Sequence, residues 1–263
     1  MANHKFQLPV SVSGKDAWEV AREVSLTAGE ILLDWWPRAK EVSDKGQNDI
    51  VTNVDRECED HIRTAIRRHF PEHGVFGEEG KGDDPTIGWT WIIDPIDGTQ
   101  NYAWGIPCFS IVVALAKDGE VVTGANFDPL NNEMFHAARG QGAFLNEEKI
   151  RVSDLSEFQD VVIGTDPAYG PVEGTTNTLQ MLRKMWPAIK TTRMMGSSAL
   201  GISYVATGRT DIYVHHRLQP YDQAAGNHLL AHSNRQAGFR DRPTDLPEWR
   251  FPSQVPPQPL PPV

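Results

Sequence analysis

The chain has 263 residues, of which 39% are hydrophobic and 23% are charged, and its formal net charge is −10 at pH 7. This length suits one hydrophobic core or two closely packed lobes rather than a series of independent modules. The negative charge disfavours binding to nucleic acids and to anionic membranes, and no apolar run approaches the length of a membrane span. An acidic site can still bind a phosphate group if metal cations lie between the two.

The termini and the cysteines exclude some further classes. The amino terminus lacks the basic start and continuous apolar segment of a secretory signal, so a cytoplasmic location is expected. The two cysteines, Cys58 and Cys108, are far apart in the sequence and form no CxxC pair. Neither a disulfide framework nor a zinc site is therefore indicated. Both thiols are predicted to lie in the core.

Two helices and a short strand are predicted in the first third of the chain. Apolar residues spaced three and four apart predict an amphipathic helix between Lys15 and Trp36, before Pro37. A second helix is predicted to continue to about Phe70, after a polar turn and a short start. Residues 73–80, HGVFGEEG, predict a buried strand that leads into an acidic turn flanked by glycines.

From Trp89 the sequence favours strands. WTWIID predicts a strand that enters a sharp turn, because Trp and Ile favour β-structure whereas Asp-Pro and Asp-Gly are turn dipeptides. Residues 109–150 predict a meander with hairpin turns at residues 117–120 and 129–132. Strands and helices then alternate, with strands predicted at 161–166 and 210–216 and helices at 176–186, 196–209 and 221–234.

The end of the chain differs from the rest. Residues 239–263 include eight prolines, which exclude a regular helix or a central strand and favour an extended, solvated tail. An interaction tail is the alternative. The sequence therefore predicts a single domain at 1–238, with two packed lobes at about 1–150 and 151–238, followed by the tail.

Acidic residues occur at the ends of predicted elements. Asp94 and Asp97 follow a buried-type strand, where mixed sheets place their sites, and Gly98-Thr99 can open a helix with free N–H groups. The same residues also suit a turn that uses Asp, Pro and Gly only for their backbone preferences. Both interpretations stay open for this string by itself.

Other acidic residues are ambiguous when each is taken alone. Glu78 and Glu79 lie between two glycines and are compatible with solvated surface acids. Asp55 suits the first turn of a helix, and Asp222 suits an N-cap before a run of small residues. Their joint occurrence is harder to explain structurally, because Mg²⁺ is bound by several carboxylate or carbonyl oxygens. The set predicts a site for a hard divalent cation.

Four strings identify a resemblance. DIVTNVD, FGEEG, WIIDPIDGTQNYAWGIPCFSIVVAL and QPYDQAAG occur in this order, and they resemble the inositol monophosphatase family of lithium-sensitive, metal-dependent phosphatases. The similarity extends from the first predicted helix to about Ala231. It implies the layered α-β-α-β-α fold of that family, which combines helices and sheets. It also implies a Mg²⁺-dependent phosphomonoesterase that acts on a small phosphorylated alcohol such as inositol monophosphate, and a homodimer is expected.

The resemblance also implies roles for individual residues. Two or three Mg²⁺ ions are expected, with Asp94 as a bridging ligand, and the implied ligands are Glu78, Asp94, the carbonyl of Ile96, Asp97 and Asp222. Catalytic roles at the attacking water are implied for Thr99, Asp55 and Glu78. Substrate contacts are expected from Asp94, Asp97, Gly98, Thr99, Ser198, His215 and Asp222. Lys45 occupies the position of a lysine that the family often carries near the site.

Two departures from the family pattern bear on function. His215 occupies the position, seven residues before Asp222, where the inositol phosphatases usually have a substrate-binding glutamate. Strict selectivity for inositol 1-phosphate is therefore not expected. The family usually continues with further strands after the last helix, and here those strands are predicted to be missing or replaced. The alternatives are a histidinol-phosphate or nucleotide 3′-phosphatase of the same family, or a regulatory binding protein that retains the fold.

Overall fold

The structure is a computed structural model that describes residues 6–46, 49–80, 82–167 and 172–233, with the backbone alone at 172 and 173. The predicted tail at 239–263, and the terminal strands predicted to be missing or replaced, lie outside these residues. The predicted lobe boundary falls in the irregular segment 150–157 and stays a prediction. In the part of the chain that the structure describes, no helix is long and apolar enough to cross a membrane.

The first two helices agree with the sequence pattern. Helix α1 spans Ala17–Trp35 and α2 spans Asn53–His69. Each begins with a capping box, in which the side chain of Asp16 or Thr52 accepts the N–H of the residue three positions later. The side chain of that later residue accepts the N–H of the cap in return, so two backbone donors are satisfied at each helix start.

The strands before residue 150 form a hairpin and one large sheet. The hairpin pairs β1 (Val42–Gly46) with β2 (Asp49–Thr52), and β1 was not predicted. The large sheet has seven strands in chain order, with β3 and β4 parallel and the rest antiparallel. Its strands are β3 (Gly74–Gly77), β4 (Trp89–Asp97), β5 (Ser110–Lys117), β6 (Glu120–Asp128), β7 (Glu133–Ala138), β8 (Gly142–Leu145) and β9 (Glu148–Lys149). The predicted meander and both of its hairpin turns are confirmed.

Strand β4 extends further than the sequence predicted. The prediction placed a sharp turn at Asp94, whereas the strand continues to Asp97 with a register shift between these two residues. Asp94 is paired with Val112 and Asp97 with Ser110, so two residues of β4 oppose one residue of β5. Pro95 has no N–H to donate to the ladder, which accounts for a bulge at this position. The bulge changes the direction in which the two carboxylates point.

The second half contains a small parallel sheet and most of the remaining helices. Strand β10 lies between β11 and β12 and is parallel to both, and β11 was not predicted. The remaining helices and strands of the described residues are α3 (Thr99–Trp104), β10 (Val162–Thr165), α4 (Val172–Met185), β11 (Thr191–Arg193), α5 (Ser198–Ala206), β12 (Ile212–Val214) and α6 (Pro220–Ser233).

The elements stack in five layers, as the resemblance implied. Helices α1 and α2 cover one face of the large sheet, and α5 and α6 cover the other face. The small sheet packs on α5, and Met185 of α4 contacts its apolar side. Gly124 lets α6 approach the large sheet, since a Cβ at this position would lie 2.8 Å from the Cα of Ala225. Cys58 is fully buried as predicted, whereas Cys108 is only half-buried.

Candidate metal centre

Three carboxylates from distant parts of the sequence converge between the large sheet and α6. Asp94 and Asp97 come from the bulged end of β4, and Asp222 comes from the first turn of α6. One oxygen of each lies within 4.8 Å of one oxygen of the other two. Burial, and then repulsion by neighbouring carboxylates, raises the pKa of Asp94 and of Asp222. Burial also raises the pKa of Asp97 to about 6.

Glu78 joins this cluster from the turn after β3. Its carboxyl group neighbours that of Asp94, whose pKa is raised by burial and then by the charge of Glu78. Burial raises the pKa of Glu78 although the Nζ of Lys45 lies only 2.8 Å from its Oε1. Lys45 also contacts Oε1 of Glu79 at 2.5 Å. The side chains of Glu78 and Glu79 are 15% and 9% exposed, so the interpretation as solvated surface acids is wrong.

Asp55 and Thr99 form a second polar group beside the cluster. Asp55 is completely buried at the start of α2, where its Oδ2 accepts the N–H of Thr52 at 2.7 Å and the hydroxyl of Thr52 at 2.5 Å. The other oxygen, Oδ1, is 3.0 Å from Thr99 Oγ1, which is also 2.9 Å from the carbonyl oxygen of Ile96. One hydroxyl has one proton, so Thr99 donates to one of these acceptors at a time.

Asp97 is bound by the beginning of α5. The hydroxyl of Ser197 donates to Oδ2 of Asp97, and the N–H of Ala199 donates to the same oxygen at 3.0 Å. The N–H of Ser198 donates to Oδ1 at 3.2 Å. A carboxylate at a helix amino terminus is stabilised by the unpaired N–H groups there. This contact brings Ser198, a predicted substrate residue, to the edge of the cluster.

The structure shows where Asp222 lies in its helix and why position 98 is a glycine. Asp222 is not the N-cap of α6: it lies in the first turn, and its Oδ2 accepts the N–H of Gln219 at 2.6 Å. Gly98 has φ of 95°, and a Cβ on it would lie 3.0 Å from the carbonyl oxygens of Cys108 and Gly196. Only glycine fits this backbone conformation in this space. The chain can therefore turn directly from β4 into α3, which places Thr99 next to Asp97.

Sequence reasoning missed Asp166 and Tyr213. Asp166 is buried, and it accepts the N–H of Gly196 at 2.7 Å and the hydroxyl of Tyr213 at 2.9 Å. The Tyr213 oxygen is also 3.2 Å from Ser198 Oγ, so this pair borders the acidic cluster. The available signal was positional, because Asp166 directly follows a buried strand, as Asp94 follows the buried part of β4.

His215 is beside this pair and does not join the carboxylate cluster through any contact described. Its ring is stacked on Tyr213 with centroids 6.5 Å apart, and its Nδ1 accepts the N–H of Arg217 at 3.0 Å. Burial lowers the pKa of His215. A neutral imidazole with Nδ1 occupied in this way has Nε2–H left as a donor.

The donor set of the cluster fits a hard divalent cation. Every ligand group is an oxygen, and the buried carboxylates have pKa values raised by burial and mutual repulsion. Such carboxylates become favourable in their charged form when a cation lies between them. The Ile96 carbonyl has two lone pairs, so one is available to a cation even when Thr99 donates to the other. These features match a hard divalent cation rather than a softer metal, which would favour His or Cys ligands.

Residues 15–233 match the model of the inositol monophosphatase family. The chain belongs to the inositol monophosphatase family. Family membership indicates phosphatase activity and metal dependence, and it accounts for the five-layered fold. The matched residues include every member of the acidic cluster and both residues of the Asp55–Thr99 pair.

Several family members are similar over most of their length. A Thermotoga maritima protein named fructose-1,6-bisphosphatase/inositol-1-monophosphatase is 40% identical over 202 residues, which are 75% of each chain. The Nus factor SuhB of Escherichia coli is 36% identical over 224 residues, covering 83% of this chain and 82% of that protein. The crystal structure of the extragenic suppressor protein suhB from Bartonella henselae has a TM-score of 0.78 at 34% identity, covering 82% and 84% of the two chains.

Proposed function

We propose that the chain is a Mg²⁺-dependent phosphomonoesterase that hydrolyses a small phosphorylated alcohol, such as inositol monophosphate. The observation that carries the proposal is the convergence of Asp94, Asp97 and Asp222 within 4.8 Å of one another. Glu78, whose charge acts on Asp94, is proposed to complete an oxygen-only site. A protein that used this fold only as a scaffold would gain no stability from so many neighbouring buried acids.

The metal ligands in this proposal are the side chains of Glu78, Asp94, Asp97 and Asp222 and the carbonyl of Ile96. Asp94 neighbours Glu78, Asp97 and Asp222, so it would be the ligand shared among two or three Mg²⁺ ions. Divalent cations bound there would neutralise phosphoryl charge and lower the pKa of water.

Asp55 and Thr99 have the geometry to hold and deprotonate the attacking water. When Thr99 donates its hydroxyl proton to Asp55, its oxygen can accept a hydrogen bond from water. As the water oxygen bonds to phosphorus, the bond from phosphorus to the ester oxygen breaks, and that oxygen takes a proton from solvent to leave as the alcohol. The proton of the attacking water passes to Thr99 Oγ1 while the hydroxyl proton of Thr99 passes to Asp55 Oδ1, which later releases it to solvent. Glu78 is proposed to act at the same attacking water. The backbone N–H groups of Gly98 and Thr99 are proposed to hold the non-bridging phosphate oxygens.

The alcohol portion of the substrate is proposed to lie against Ser198, Asp222 and His215. Ser198 and Asp222 flank Asp97, and His215 is stacked on Tyr213, whose hydroxyl reaches Ser198. One donor at His215 selects less strongly among polyols than a carboxylate with two acceptor oxygens. The relative named fructose-1,6-bisphosphatase/inositol-1-monophosphatase supports a site that admits more than one phosphorylated alcohol. Histidinol phosphate and nucleotide 3′-phosphates are the alternative substrates.

A second candidate function is favoured by one comparison. Several relatives, including the one from Escherichia coli, are named Nus factor SuhB, so a regulatory role in a protein of this fold is a candidate here too. The acidic cluster favours the enzyme, and the two roles do not exclude each other. A homodimer and a cytoplasmic location stay predictions.

A phosphate-release screen tests the proposal. The full chain is assayed on inositol 1-phosphate, fructose 1,6-bisphosphate, glycerol 2-phosphate, histidinol phosphate and a nucleotide 3′-phosphate, with Mg²⁺ and with EDTA. We expect Mg²⁺-dependent release from at least one of them, and inhibition by Li⁺ and by excess Ca²⁺, because Ca²⁺ favours longer bonds and looser geometry. Undiminished turnover in EDTA contradicts the metal role, and no release from any ester with Mg²⁺ favours the regulatory candidate.

A further inference from the structure

A buried carboxylate of α2 holds the turn that carries Glu78. Glu59 is 3% exposed, and its Oε2 accepts the N–H of Glu79 at 2.8 Å. Its Oε1 accepts the N–H of Gly80, also at 2.8 Å. Hydrogen bonds from N–H groups to an ionised carboxylate are shorter and stronger than those between neutral groups. Two consecutive peptide units directly after Glu78 are therefore bound to one side chain that belongs to a different element.

Arg63 connects the same carboxylate to the strand that precedes the turn. Its Nε donates to Oε1 of Glu59 at 2.8 Å, and its Nη1 donates to the carbonyl oxygen of Val75 at 3.2 Å. Val75 lies in β3, which ends just before Glu78. The Glu59–Arg63 pair thus holds the chain on both sides of Glu78 without taking part in the carboxylate cluster. Its arginine and its glutamate are one helical turn apart, at the spacing where side chains meet.

The two glycines that flank the acidic turn are explained by this pair. A Cβ on Gly77 would lie 2.8 Å from Nη2 of Arg63, and a Cβ on Gly80 would lie 2.8 Å from Oε1 of Glu59. Neither glycine is in the left-handed region of φ, so backbone conformation does not require glycine at these positions. The two glycines leave room for the ion pair, which lies directly against the backbone of the turn.

We infer that Glu59, supported by Arg63, is a positioning residue that fixes the Glu78 carboxylate at the metal centre. The inference rests on the proposed function, in which Glu78 is a metal ligand. Because the backbone is held on both sides of Glu78, metal binding restricts only the side-chain rotamers of this residue. The conformational entropy lost on metal binding is therefore smaller. Groups that orient a ligand without touching the metal strongly affect metal affinity.

The test measures metal binding directly. Mn²⁺ is titrated into the metal-free full chain and free Mn²⁺ is followed by electron paramagnetic resonance. Glu59→Gln keeps the side-chain size but removes the charge and one of the acceptors, so we expect Mn²⁺ affinity to fall by about 10-fold to 100-fold. Asp60→Asn is the matched control, because it removes an exposed carboxylate at the next position of α2. We expect its Mn²⁺ affinity to equal that of the wild type.

Gly80→Ala provides an independent variant, and it carries the test if Glu59→Gln does not fold. Its Cβ would displace Oε1 of Glu59 while leaving both charges in place, and we expect the same direction of change. In turnover, the Mg²⁺ concentration for half-activation should rise while the KM for the phosphate ester stays unchanged. Wild-type Mn²⁺ affinity in folded Glu59→Gln or Gly80→Ala protein overturns the positioning role alone. Absence of Mn²⁺ binding by the wild type overturns the metal site and the positioning role together.

Discussion

Oγ1 of Thr99 lies 3.0 Å from Oδ1 of Asp55 and joins the start of α3 to the start of α2. The other oxygen of Asp55, Oδ2, accepts two hydrogen bonds from Thr52, so Oδ1 is the oxygen that faces the candidate site. Burial raises the pKa of Asp55, while its hydrogen bonds to Thr52 and Thr99 lower it. The same carboxylate therefore caps a helix and is available to receive a proton.

The Thr99–Asp55 contact predicts a kinetic defect without a metal-binding defect. Thr99→Ala should lower kcat by about 100-fold or more, the usual contribution of a positioned proton acceptor. Thr99→Ser keeps the hydroxyl and should retain most of the activity. Mn²⁺ affinity should change little in either variant, because the Thr99 side chain is not among the proposed ligands. Turnover of Thr99→Ala at the wild-type rate contradicts this role.

Asp94→Asn should raise the stability of the metal-free protein and nearly abolish its activity. Burial, and then repulsion by Glu78, Asp97 and Asp222, raises the pKa of Asp94. Asparagine removes one like charge, so the metal-free protein should have a higher Tm than the wild type. Turnover should be nearly abolished and Mn²⁺ affinity reduced. If the residue only formed a turn, turnover at saturating Mg²⁺ would be near normal, and thermal melts together with phosphate release distinguish these outcomes.

Stabilisation by Mg²⁺ should depend on pH. The pKa of Asp97 in the folded chain is about 6, above its ordinary value of 3.8, so the folded chain binds more protons than the unfolded chain between these values. The metal-free protein therefore loses stability as pH rises through this window. Bound Mg²⁺ offsets the repulsion between ionised carboxylates, so its effect on Tm should be larger at about pH 8 than at about pH 5. An equal effect at both values contradicts this account, and Asp94→Asn should show a smaller difference.

His136, far from the metal centre, should make folding stability depend on pH in the opposite direction to Asp97. Its Nδ1 accepts the indole N–H of Trp18 at 3.0 Å, its Nε2 is 2.7 Å from the carbonyl oxygen of Asn146, and its ring is stacked on Phe144. This arrangement requires the neutral ring, and burial lowers the pKa of His136 to about 4, below the ordinary value of 6.5. Its contribution to stability is complete above pH 6.5 and is lost as pH falls toward about 4.

The measurement is the difference in Tm between wild type and His136→Gln at about pH 7 and about pH 5. The variant loses the ring contacts and should be less stable at the higher pH. The gap should narrow at the lower pH, because glutamine has no proton to gain. A gap that stays constant shows that His136 does not titrate in this range.

Substrate preference should respond to His215. We expect the wild type to have comparable kcat/KM values for inositol 1-phosphate and at least one other phosphomonoester. His215→Glu should shift preference toward inositol 1-phosphate, because a carboxylate accepts hydrogen bonds from two hydroxyls, and the Mg²⁺ requirement should be retained. Tyr213→Phe removes only the hydroxyl that reaches Asp166 and Ser198 and tests whether this neighbouring pair contributes. A wild-type preference for inositol 1-phosphate by orders of magnitude contradicts the argument from His215.

Much of the local structure was predictable from the sequence because its signals are local. The spacing of apolar residues located α1, and the turn dipeptides located both hairpins of the meander. Asp94 and Asp97 stood out because they follow a buried strand and come shortly before a glycine. The family resemblance then connected these residues to Glu78 and Asp222, which periodicity and composition had left ambiguous.

Tertiary structure decided which polar groups are in contact, how deeply each is buried and which charges lie beside it. No spacing rule places Asp166 on the backbone of Gly196, since these residues are 30 positions apart and meet only through packing of β10 on α5. Nothing in the sequence distinguished Glu59 from the other acids of α2, and only the fold placed the turn after β3 against it. Burial and the positions of neighbouring charges set the pKa of a carboxylate, and both are properties of the folded chain.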